Sequence, residues 1–237
     1  MGVMVDYMDA ASAVLASAQR RVEIAAQNVS NMSTPGYRRR VSFEQALTSA
    51  DVGAGLPSVV SSVDVQPGKP INTGAPLDLA ISGEGFFVVR DGDQLLYTRN
   101  GQFRRDQDGR VTTQAGLPVQ LQAGGDLVLK GGEVQVLPDG TVTEDDDPVG
   151  RLALANIPDA AQAEPIDGGL YRATGQGVAE ARGATVSQGM LEGSNVSLGE
   201  EMVSIMQSLR GAEAGQKLVN VYDDLMGRAI STFGQTS

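Results

Sequence analysis

The sequence predicts an α+β chain. N- and C-terminal α-helices form a coiled-coil-like layer, and a central antiparallel β domain of meander or barrel-like form lies between them. Three observations carry this. Apolar residues near both ends recur at steps of three and four. From about Leu77 the apolar period changes to two. Asp-Gly pairs then punctuate the middle of the chain. The boundaries that follow are 1–35 for the N-terminal helix, 36–76 for an extended connector, 77–185 for the β domain, and 186–237 for a return arm and the C-terminal helix.

The first helix is read from Met8, Ala11, Leu15, Ala18, Val22, Ala25, Val29 and Met32. This is an unbroken three-four seam of the kind that lines a coiled coil. Asp6 or Asp9 suits its N-cap. Pro35 keeps Thr34 out of helical geometry, so the helix stops a few residues earlier, and Gly36 suits a chain reversal. Arg38-Arg39-Arg40 follows as the one basic run, read as a solvated or partner-facing turn.

Residues 50–76, rich in Ser, Val, Gly and Pro, read as extended chain. Leu77, Leu79 and Ile81 then alternate with Asp78, Ala80 and Ser82. Phe86–Val89 and Leu95–Thr98 flank a turn at Arg90–Asp93. Asp108-Gly109 and Asp139-Gly140 each separate two further short strands. Gly83-Glu84-Gly85 is no dinucleotide loop, because no helix follows it. Glu144-Asp145-Asp146-Asp147 has carboxylates for a hard cation, yet it lacks Ca²⁺-loop spacing and Pro148 follows, so it reads as a solvated turn ahead of a cation site. Residues 156–193 read as short strands and loops.

At the C-terminus, Ser197-Leu198-Gly199-Glu200 has capping-box form, and Glu201 adds a second acid to the first turn. Leu198, Met202, Ile205, Leu209 and Ala212 follow in four-three steps. Leu218, Tyr222, Leu225 and Ala229 continue beside Val219, Met226, Ile230 and Phe233. So wide a stripe wants more than one neighbour. Gly211 and Gly215 cost helix propensity that a close helix approach would offset.

Composition narrows the chemistry. With neither Cys nor His, the chain has no disulfide, zinc-finger, Ser-His or Cys-His chemistry. A formal charge of -11 argues against phosphate-rich nucleic acid or anionic membrane as partner. No apolar run is long enough to span a bilayer, and the N-terminus does not read as a Sec-type signal. No carboxylate pair stands out for acid/base work, so no catalytic residue, cofactor or metal is expected, and the chain is read as a non-enzyme.

Three stretches carry a family likeness. Gln27-Asn28-Val29-Ser30-Asn31-Met32-Ser33-Thr34-Pro35-Gly36-Tyr37 resembles the N-terminal signature of bacterial flagellar axial proteins. Asp78 to Val89, followed by Tyr97 to Phe103, is similar to the central motif of their hook and rod subset. Ser194 to Met202 resembles the start of their C-terminal helix. Gln27 and Ser30 depart from the usual Asn and Ala, and Arg210-Gly211-Ala212-Glu213 from the usual Arg-Ala-Tyr-Glu. The length resembles a rod protein of the FlgF type, with the FlgG type next.

The resemblance implies a subunit of the flagellar basal-body rod, in the periplasm. It implies export by the flagellar type III apparatus and assembly with copies of itself and other rod proteins. The terminal helices would then build the inner layer of a tube that transmits torque from motor to hook. The expected assembly seam is Met8, Leu15, Val22, Val29, Met202, Ile205, Leu209, Val219, Met226 and Ile230. The motif residues are Asn28, Asn31, Thr34, Pro35, Gly36 and Tyr37. In a free subunit both stripes are expected to lack partners and to order on docking. The alternatives are a FlgG-type distal-rod or hook subunit, a carboxylate-dependent hydrolase with an acidic pocket, and a compact monomer with its helices packed on its own core.

Overall fold

The computed structural model describes residues 2–46, 57–64, 66–157, 163–174 and 177–234. Helix α1 spans Gly2–Ser30. Strands β1 (Arg40–Ala46), β2 (Pro57–Val63), β3 (Pro70–Asn72) and β4 (Leu79–Ser82) follow. Next come β5 (Phe86–Asp91), β6 (Gln94–Thr98), β7 (Arg104–Arg105) and β8 (Val111–Thr112). Then come β9 (Val134–Val136), β10 (Thr141–Glu144), β11 (Asp147–Arg151) and β12 (Leu154–Asn156). Strands β13 (Ala163–Pro165), β14 (Leu170–Ala173), β15 (Ala179–Glu180), β16 (Thr185–Gln188) and β17 (Met190–Glu192) precede helix α2, Leu198–Gly234. The α+β class, the two terminal helices and the antiparallel middle are as the sequence predicts.

The chain divides into two compact units. One takes in Met1–Ser30, Arg40–Ser62 and Ser197–Ser237; the other Asn31–Arg39 and Val63–Val196. In the first, α1 lies against α2, and β1 pairs with β2. The stretch read as connector is therefore extended but partly paired.

In the second unit a six-stranded sheet runs β13-β14-β6-β5-β12-β15, beside a three-stranded sheet β11-β10-β9. Strand β4 pairs with β16, and β3 with β17, both antiparallel. The run Phe86-Phe87-Val88-Val89 is apolar throughout because β5 is covered on both faces. Phe87 and Val89 enter one core with Leu96, Phe103, Val119 and Val142. Phe86 and Val88 face another, with Tyr97, Ile157 and Tyr171. Period-two alternation sends neighbouring side chains into the two cores. Phe87 meets Phe103 edge-on at 5.1 Å. The Asp-Gly turns at 108–109 and 139–140 join β7 to β8 and β9 to β10.

Candidate assembly surface and chain-exit node

The chain leaves α1 through a compact turn in the second unit. The Thr34 amide donates to Asn31 O at 3.0 Å, and the Tyr37 amide to Thr34 O at 3.2 Å. Thr34 Oγ1 reaches Asn31 Oδ1 at 3.3 Å. Gly36 sits at φ +68°, where a side chain is strained, and its amide donates to Glu192 O at 2.6 Å. A Cβ at this position would run into the backbone of Arg99 and Asn100. Position 36 therefore demands glycine for conformation and for space.

Beneath this turn lies a buried ionic node. Arg38 Nη2 donates to Glu192 Oε1 at 2.8 Å, and Arg99 Nη1 to Glu192 Oε2 at 3.3 Å. All three side chains are about 5% exposed, so water does little to screen them. The Gly68 amide donates to Glu192 Oε1 at 3.0 Å. Arg99 also donates to Ile81 O at 3.1 Å and to Gly83 O at 2.6 Å, so the Gly83–Gly85 loop wraps a guanidinium. Its guanidinium carbon stands 5.4 Å from the Phe86 ring centroid. Burial pulls the Arg99 pKa down, and Glu192 opposes that pull. A cavity of about 340 Å³ adjoins the node, lined by Arg38, Arg99, Phe86 and Tyr171 among others. Burial raises the Tyr171 phenol to about 12.

The C-terminal side of the exit is tied to the same place. Asn195 Oδ1 accepts from the Arg39 amide at 2.6 Å, and its Nδ2 donates to Gln66 O at 2.9 Å. The Asp64 amide donates to Arg39 O at 2.8 Å. The basic run is therefore no solvated or partner-facing turn. Arg38 is buried on Glu192, and in the first unit Arg40 Nη1 donates to Gln27 Oε1 at 2.6 Å. In that unit too, fully buried Asn28 exchanges two 2.9 Å hydrogen bonds with the Arg40 backbone.

The two helices present different faces. Along α2 the buried residues among those described are Glu201, Ser208 and Gly215, at seven-residue intervals on one side of the helix. A Cβ on Gly215 would stand 3.2 Å from Val14 Cγ1 and 3.5 Å from Leu15 Cδ2, so this glycine sets a close approach to α1; Gly211 has open space around it. On α1, Ala18 and Ala25 are buried, with Leu15, Val22 and Val29 half-buried beside them. The expectation that both stripes lack partners within the chain is therefore corrected where α1 meets α2, but not at Met202 and Leu209. Small residues allow α1 and α2 to meet. Ile205 and Val219 are half-buried, whereas Met202 and Leu209 are 54% and 50% exposed. Val203, Met206, Leu218, Val221 and Leu225 are exposed with them. The side chains of Met8, Met226 and Ile230 lie outside the described residues.

In the acidic stretch at the β10–β11 turn, Glu144 and Asp145 are held by backbone amides of Lys130, Gly131, Gly132 and Glu133. Glu144 accepts from the amides of Lys130 at 2.9 Å, Gly131 at 2.5 Å and Gly132 at 2.8 Å. Those amide bonds, the one from Lys130 foremost, lower its pKa. Asp145 Oδ1 accepts from Glu133 at 2.8 Å. Among the described residues no group of three or more Asp or Glu is disposed to hold a metal ion, and no helix is long and apolar enough to cross a membrane.

Sequence reading did not find the node, because Glu192 stands far along the chain from Arg38 and Arg99. Its partners do lie in the three stretches that match family models. Residues 8–38 match the model described as flagella basal body rod protein. Residues 80–145 match the flagellar hook protein FlgE/F/G D1 domain, and 187–232 the flagellar basal body rod FlgEFG protein C-terminal model. Arg38, Arg99 and Glu192 each come from a different one of these.

Whole-chain relatives agree. The flagellar basal-body rod protein FlgF of Salmonella typhimurium is 32% identical over 227 residues, covering 87% of this chain and 89% of that protein. FlgF of Caulobacter vibrioides is 32% identical, covering 92% and 93% respectively. The rod protein FlgG of Bacillus subtilis is 26% identical, covering 90% and 93%. With these relatives matched over nearly their full length, and with the three matched segments meeting at one buried node, the chain belongs to the flagellar basal-body rod protein family, of the FlgF/FlgG type.

Proposed function

We propose that the chain is a structural subunit of the bacterial flagellar basal-body rod, of the FlgF type. It assembles through its terminal helices into a helical tube that transmits torque from motor to hook. The observation that carries this reading is the exposed apolar surface of α2, to which Met202, Val203, Met206, Leu209, Leu218, Val221 and Leu225 all contribute. So wide an apolar surface on a water-facing helix needs a neighbour. An open tube arises when each subunit offers one surface to a different surface on the next and the rotation does not close. The partners are copies of this chain and other rod proteins, with the flagellar export apparatus delivering the subunit. The FlgF assignment follows the 32% identity to FlgF relatives against 26% to 29% for FlgG.

In this reading residues 1–35 and 186–237 supply the coiled-coil inner layer, 36–76 the connector and 77–185 the central β domain. The seam uses Leu15, Val22, Val29, Ile205 and Val219 between helices of one chain, and Met202 and Leu209 toward neighbours. Met8, Met226 and Ile230 extend it.

The test is Leu209→Asp in a strain lacking the wild-type gene. Half-exposed Leu209 tolerates a carboxylate in the single chain, whereas a buried contact between subunits does not. The purified variant keeps its helical circular dichroism, and cells carrying it build no rod and do not swim. Normal rods from this variant would remove the seam from the mechanism.

A further inference from the structure

We propose that Glu192 is a positioning residue for assembly. Its carboxylate holds the segment that follows α1 and the segment that precedes α2 at one fixed place in the second unit. This rests on the rod-subunit reading for its purpose, though its geometry stands independently of that reading.

Three features point to orientation over stability. First, the node buries two cations against one carboxylate. Each charge carries a desolvation cost, and Arg38 and Arg99 repel one another. Apolar side chains of similar volume often hold a fold as well or better than such a triad, so stability alone does not account for it.

Second, the contacts are directional. Glu192 ties Arg38 on the N-terminal exit to Arg99 beside β6, while its own backbone carbonyl accepts from Gly36. Arg99 shares its rigid guanidinium between Glu192, Ile81 O and Gly83 O, which fixes its orientation where an apolar contact would let it slide. Asn195, three residues on, fixes the Arg39 amide and the Gln66 carbonyl. Both leads into the helices are thus pinned within a few residues of Glu192.

Third, the node draws one member from each of the three segments that match family models. Helices that must enter a lattice with neighbours need a defined point of departure from the β unit. A buried polar contact is a recognised way to specify one register among several of similar energy.

The experiment uses the full chain carrying Arg38→Met, Arg99→Met and Glu192→Gln together, so that no charge of the triad is left buried alone. Glutamine still accepts from the Gly68 amide, and methionine fills the volume of the arginine stem. Thermal unfolding, amide hydrogen exchange over residues 34–39, and incorporation into rods in cells lacking the wild-type gene are measured beside wild type.

The expected result is a melting midpoint within a few degrees of wild type, tenfold or greater loss of exchange protection at Gly36–Arg39, and loss of incorporation. Glu192→Gln alone leaves two buried guanidiniums without their carboxylate and should melt well below both wild type and the triple variant. A variant that incorporates like wild type overturns the proposal. So does unchanged protection at Gly36–Arg39. A large fall in melting midpoint in the charge-free triple variant, parallel to the assembly defect, makes the node a stability element and also overturns it. Failure of the wild-type chain to enter rods would instead fault the rod-subunit reading, and the exchange measurement would still decide the role of Glu192.

Discussion

The side-chain amide of Asn28 pairs with the backbone of Arg40 as one strand pairs with the next: Nδ2 donates to Arg40 O and Oδ1 accepts from Arg40 N, both at 2.9 Å. Asn28 is fully buried near the end of α1. Asn28→Ala leaves a backbone donor and a backbone acceptor without their partner, at a cost of about 1–3 kcal/mol. Urea unfolding of the full chain should record that loss, with faster amide exchange at Arg40. Asn28→Asp should lose as much, because a carboxylate cannot donate to Arg40 O.

Gly36 and Gly92 separate conformation from space. Both have positive φ, +68° and +57°, but only Gly36 has backbone where a Cβ would go. Gly92→Ala should cost about 1–2 kcal/mol for the left-handed conformation alone. Gly36→Ala should cost distinctly more, since the Arg99–Asn100 backbone must also move. Denaturation midpoints of the two variants, taken side by side, test this order.

Gly211 and Gly215 should respond in opposite directions. Gly211→Ala meets nothing within 4 Å and should stabilise α2 by roughly 1 kcal/mol through helix propensity. Gly215→Leu must displace Val14 and Leu15 and should destabilise the helix pair by about 1–3 kcal/mol. Helical circular dichroism followed through heating distinguishes them.

Glu144 sets an acid limit on the β9–β10–β11 sheet. Its folded pKa is held below the ordinary 4.5, chiefly by the amide bond from Lys130. A depressed carboxyl pKa contributes stability that is complete above 4.5 and is lost as pH falls through the lowered value. Glu144→Gln should flatten the stability profile on the acid side of 4.5 and leave its slope near neutrality unchanged. Unfolding free energy measured across that range checks the sign.

The sequence made the class and the order of elements legible because periodicity reports which face is covered, and both helices and most strands are long enough to show it. Gln27 to Tyr37 also announced a helix stop, through Pro35 and Gly36. The inward side of α2 was not legible. Counting steps between large apolar residues finds Met202 and Leu209, whereas the row that reaches the interior is Glu201, Ser208 and Gly215. A close approach to α1 is made by Gly215, a residue with no side chain. Arg38 was read with its two neighbours as one basic run, because nothing local distinguishes it. Its partner is Glu192, and only the pairing of β3 with β17 brings that residue back beside the N-terminal exit.

The buried triad also dictates how this protein can be cut. A fragment trimmed to 77–185, where the apolar periodicity changes, would retain Arg99 and discard both Arg38 and Glu192. That fragment would carry a lone cation in its interior and an open slot where β3 and β17 had paired. A faithful excision needs two pieces of chain, not one, and the shortest single-chain version would join the piece ending at Arg39 to the one beginning at Val63 by a brief linker.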